Sequence, residues 1–114
     1  MDRAATVDVL VSDPKLAEIV RRLVEAFQPE RIYLFGSYAR GEVHPDSDYD
    51  LMVVVPDDAP PERTRSRLAY KVLRGTGAAA DVLVTTSSRF NRRVHLPVSL
   101  AGTIAREGRL VYGS

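Results

Sequence analysis

At 114 residues, with formal net charge +1 and no cysteine, the chain has the size of one domain able to bury its own core. These totals exclude a disulfide framework or a thiolate zinc site, and they argue against a strongly basic module that grips long nucleic acid by its phosphates. No apolar run is long enough for a membrane span and MDRAATVDVL lacks the apolar stretch of a secretory signal, so a cytoplasmic chain without membrane contact is expected. Fourteen of the sixteen basic residues are arginine, whose planar fork suits phosphate or carboxylate, although genomic base composition accounts for such a bias equally well.

VDVLV, within Met1 to Ser12, reads as a strand or an extended arm. Asp13-Pro14 reads as a helix start, with Asp13 as N-cap and Pro14 in the first helical position. Leu16, Ile19, Val20, Leu23, Val24 and Phe27 then form one apolar stripe at helical spacing, and Gln28-Pro29 ends it. RIYLF, Arg31 to Phe35, is a short strand that stops at Gly36. SYARGE has room for only a turn or two of helix, and VHPDS is loop. DYDLMVVV, Asp48 to Val55, is the second strand. After the PDDAPP loop, Pro61 opens a helix to about Leu73, with Leu68, Ala69, Val72 and Leu73 inward, and Gly75 and Gly77 break it. ADVLVTT, Ala80 to Thr86, is the third strand, and Ser87 or Ser88 caps a short helical segment. A last helix is expected over Val98 to Glu107, with Leu100, Ala101, Ile104 and Ala105 on one side. Gly108 should follow it in the left-handed conformation, and RLVY is a brief extended tail. Residues 1–114 therefore read as a single domain without repeats or linkers.

Alternate strand residues share a face, so Asp48 and Asp50 point one way and Tyr49 the other. Two adjacent carboxylates repel, and a divalent cation with a taste for hard oxygen ligands relieves that cost. Taken alone, Asp-x-Asp is more often a solvated strand end. The turn upstream changes the balance. A strand, then Gly36-Ser37, then a short helix is a natural anion site, because backbone N–H groups and the helix dipole point at the ligand. Gly36 admits close approach to the backbone, while Ser37 serves either a phosphate oxygen or a simple cap. Arg40 either steadies a phosphate or lies on the surface. His44 reads as a solvated loop residue and His95 carries no signal.

Together these residues resemble a family. GSYARGEVHPDSDYDL is similar to the signature of the nucleotidyltransferase superfamily that includes polymerase beta: Gly-Ser, ten residues, then Asp-x-Asp, here Asp48 and Asp50. The pattern G-S-x-A-R-G…S-D-x-D-L resembles the minimal, MNT-type branch, over roughly Arg31 to Thr86. The resemblance implies an α/β fold (α+β in some schemes), a small three- to four-stranded mixed sheet flanked by helices, like the polymerase beta palm. It implies a third carboxylate on a later strand, for which Asp81 stands in the matching place. It further implies transfer of a nucleoside monophosphate, with ATP the first guess, from a triphosphate to a hydroxyl. Asp48, Asp50 and Asp81 would hold two Mg²⁺ or Mn²⁺ ions, with Asp81 at the nucleophile. Gly36 and Ser37, with Arg40 a weaker candidate, would hold the triphosphate.

Minimal members of this branch often pair with a HEPN-type helical toxin, which makes a partner protein the expected acceptor. Two other readings stay open: a module that neutralises a partner by contact without catalysis, and a small-molecule transferase of the aminoglycoside kind. The short chain motivates the transfer to a partner protein, since a second protein would replace the missing acceptor domain. The identity of the acceptor and the oligomeric state are not encoded in any residue pattern.

Overall fold

A computed structural model describes residues 13–36, 49–77 and 79–113. Chain order begins with helix α1, Pro14–Phe27, then strands β1, Arg31–Phe35, and β2, Tyr49–Val55. A 3₁₀ turn at Pro61–Thr64 leads into α2, Ser66–Val72, followed by β3, Ala80–Thr86, and α3, Ser87–Arg93. The described chain closes with α4, Leu100–Glu107, and β4, Arg109–Tyr112. The strand readings in Met1–Ser12 and the SYARGE and VHPDS readings lie outside the described residues.

The strands form one mixed sheet in the order β3-β2-β1-β4. β1 runs antiparallel to both β2 and β4, whereas β2 and β3 are parallel. The parallel pair requires a crossover, and α2 supplies it. β2 is central, and its run LMVVV is buried throughout, as a strand covered on both faces requires. Leu51, Val53 and Val55 join one core with Leu16, Ile19, Leu23 and Phe27 of α1 and Ala69 of α2. Met52 and Val54 join the other with Phe90 of α3 and Ala101 and Ile104 of α4. Among the described residues the result is three layers, with two helices on each side of the sheet.

α1 forms as its sequence dictates. The Asp13 carboxylate accepts from Leu16 N at 3.1 Å, and the chain leaves the helix through Gln28 at φ 48°. Tyr49 points away from Asp50 and is buried; its hydroxyl donates to Asp13 Oδ2 at 2.9 Å. One carboxylate thus caps α1 and ties it to the start of β2.

Five expectations need correction. RLVY is not a tail but the outer strand beside β1, which makes the sheet four-stranded. The helix expected from Pro61 is broken at Arg65, which is extended at φ −120° and ψ 137°. The Thr64 hydroxyl bonds back to Pro61 O at 2.6 Å, and the polar run before Leu68 offers no apolar residue to seat a first turn. Thr86, not Ser87 or Ser88, caps α3, while Asp57 Oδ1 accepts from Ser88 N at 2.9 Å. The last helix starts later than Val98, at Leu100 behind the Ser99 cap, and Ala101, Gly102 and Ile104 rather than Leu100 and Ala105 face inward. Gly108 after it is extended, at φ −76° and ψ 166°. There a side chain would meet Ile104 O and Leu34 O, so glycine serves the close passage of α4 into β4 rather than a left-handed turn.

Candidate active site

The parallel register between β2 and β3 sets Asp50 directly beside Asp81. Their Cα atoms are therefore about 4.8 Å apart, the spacing of neighbouring strands. The pleat sends both side chains to the face that carries Met52 and Val54, because Leu51 and Val82 enter the opposite core. Both residues stand at the starts of their strands, where the sheet gives way to loop.

β1 delivers the third piece. Its antiparallel register pairs Phe35 with Asp50, so Gly36 falls beside the Asp50 side chain. Gly36 has φ +75°, which favours glycine, and any β-carbon there would overlap Asp50 Oδ2. Backbone and carboxylate are packed as closely as glycine alone permits. Asp81 sits on the edge strand, is exposed, and accepts from Tyr70 Oη of α2 at 3.2 Å.

Of the residues singled out in the sequence, the described chain thus brings Gly36, Asp50 and Asp81 together. Ser37, Arg40 and Asp48 lie outside the described residues. The donor set suits a hard divalent cation: two carboxylates at one strand spacing, with a glycine turn packed against one of them. Tyr70 was not singled out from the sequence, because its contact with Asp81 joins a helix to an edge strand and has no local pattern.

Farther along the same face, beyond the half-open Leu83, lies a cavity of about 200 Å³. Met52 and Thr85 form its floor, Phe90 and Leu100 its apolar walls, and Arg89 and Arg93 its charged rim. Met52 is two residues from Asp50, about 6.6 Å along the strand. The face therefore continues from paired carboxylates into an apolar hollow edged with cations. Among the described residues no helix is long and apolar enough to cross a membrane.

Comparisons with known proteins identify the family of the chain. A family model described as a nucleotidyltransferase domain matches residues 14–110. A candidate protein adenylyltransferase, MJ0604 of Methanocaldococcus jannaschii, is 31% identical over 83 residues, which is 73% of this chain and 78% of that protein. A candidate nucleotidyltransferase of Sulfolobus solfataricus, known from its crystal structure, is 26% identical and superposes with a TM-score of 0.51, over 76% of this chain and 78% of the other. A chain from a variant of the MntA–HpeT toxin–antitoxin complex is also 26% identical. It has a TM-score of 0.56, covering 86% of this chain and 72% of its own.

Proposed function

For a chain that belongs to the nucleotidyltransferase domain family, we propose that it moves AMP from ATP to a hydroxyl on a partner protein, as the antitoxin of a HEPN-type toxin. The observation that carries this reading is the pairing of Asp50 with Asp81 under the Gly36 turn. The resemblance to a candidate protein adenylyltransferase and to a chain of a toxin–antitoxin complex supports the choice of nucleotide and of acceptor.

Asp48, Asp50 and Asp81 would hold two divalent ions, Mg²⁺ or Mn²⁺, which when bound neutralise the triphosphate and favour attack at its α-phosphorus. The chain's own residues do the rest. The Gly36–Ser37 backbone would take the β- and γ-phosphates, with Arg40 as a further cation. The closeness of Gly36 to Asp50 would bring phosphates held by the turn next to the metal-ligating carboxylate. Asp81, exposed on the edge strand, faces the side from which an acceptor approaches, and would take the proton of the attacking hydroxyl.

The test is a tagged pull-down from the native host, with intact masses of all co-purifying chains before and after Mg²⁺–ATP. One AMP mass on a partner, absent with Asp50→Asn, is expected. A partner whose mass never changes would overturn the catalytic reading and favour docking alone. That second reading has an observation of its own: Leu96, Val98 and Leu100, around the start of α4, are 53%, 98% and 43% exposed, an unusual apolar display for one short segment. It predicts that the Asp50→Asn, Asp81→Asn double variant still retains the partner.

A further inference from the structure

Tyr70 is half in water, at 52% exposure, yet its hydroxyl is directed at Asp81 Oδ1 at 3.2 Å. Tyr70 Oη stands against the carboxylate that would take an acceptor hydroxyl's proton, on the residue that neighbours Asp50 across the sheet. A phenol is a competent nucleophile once so placed. Being part of the same chain, it meets the bound triphosphate without a diffusional encounter, and intramolecular placement is the larger part of such a rate gain.

The surroundings of Tyr70 suit the product as well. Tyr70 lies in a wide hollow with Arg67, Lys71 and Arg74 as its other lining residues. Arg67 stands at i−3 on α2, and Arg74 lies in the turn that follows the helix. Three cations around one tyrosine repel one another until an anion enters, and a phosphodiester on the ring would supply it.

We propose that Tyr70 is a self-nucleotidylation site. Its phenolic oxygen attacks the α-phosphorus of the bound nucleoside triphosphate. The new O–P bond replaces the bond between the α-phosphorus and the bridging oxygen, pyrophosphate leaves, and the phenolic proton passes to Asp81. The inference rests on the transferase reading above and adds an acceptor within the chain. The adduct would stand in front of Asp81, so a modified copy is closed to other hydroxyls.

The experiment incubates the purified full chain with Mg²⁺–ATP and follows its intact mass. Trypsin releases Tyr70 within Leu68–Lys71, which locates the adduct. One AMP on that peptide is expected, lost in Tyr70→Phe and in Asp50→Asn and kept in Tyr112→Phe. Transfer in cis further predicts that unlabelled Asp50→Asn chain stays unlabelled when mixed with wild type. An unmodified chain overturns the proposal. If a co-purified partner is nevertheless labelled, only the self-acceptor fails and the transferase stands; if nothing is labelled, both fail. A metal-free readout stands beside these: the ring ¹³Cζ resonance of Tyr70 should shift in Asp81→Asn, and an unmoved resonance shows that the hydroxyl does not sit at the carboxylate and overturns the placement.

Discussion

Gly36 is the residue on which geometry bears hardest. Its φ of +75° costs any other L-residue about 1–2 kcal/mol, and a methyl group there would displace the Asp50 carboxylate. Gly36→Ala should therefore lower stability by about that amount in urea denaturation, and reduce Mn²⁺ affinity in calorimetric titration. Asp50→Asn should leave the fold intact but depress transfer more than about a hundredfold, since loss of even outer-shell support typically costs a metal site 10–100-fold. Asp13 carries two duties, and Asp13→Ala should cost about 1–2 kcal/mol, as a lost helix cap with an orphaned Tyr49 hydroxyl beside it. The cap was readable in Asp13-Pro14; the tie to Tyr49 was not, because it joins residues far apart in the chain. Gly36 and Asp50 were likewise legible as residue types in a motif, and Asp81 only through the family resemblance. Their contact depends on strand register, which local sequence does not state.

Among the elements, α1 and α2 are held together by a charged clamp. Arg22 donates to Val72 O and Arg74 O, both at 3.1 Å, and thereby satisfies carbonyls at the end of α2. Glu18 holds Arg22 in place through a 2.8 Å ion pair. Arg22→Ala should destabilise by about 1 kcal/mol in thermal or urea unfolding, the typical worth of a partly exposed hydrogen-bonding contact. Hydrogen bonds from Arg21 first and Arg22 second hold the Glu18 carboxyl down from 4.5 to about 2. A lowered folded-state value means that the contribution is complete above pH 4.5 and disappears as pH falls through about 2. Glu18→Gln should therefore flatten acid-induced destabilisation across that window, by a small margin, because the pair is exposed and screened. The periodic stripe and caps made α1 plain in the sequence, and Arg31 to Phe35 and Ala80 to Thr86 were plain as apolar runs. β4 was not, since four residues become a strand only when a neighbour such as β1 offers its edge.

At the scale of the whole molecule, the sheet separates two cores and contributes to both. Leu51 and Met52 are successive residues that enter opposite cores. Leu51→Ala and Met52→Ala should each cost about 2–5 kcal/mol, in one cooperative transition of unchanged denaturant slope. Two separate transitions would show the layers to be independent. The pairing of β2 with β3 spans the crossover through α2, and a slip of one residue would send Asp81 to the far side of the sheet. Parallel, non-local pairing of this kind is slow to form during folding. The outer partner of β1 is β4, which the ribosome makes after the rest of the sheet. The carboxylate pair, which waits on the parallel pairing of β2 with β3 and not on β4, is thus expected to assemble late in folding.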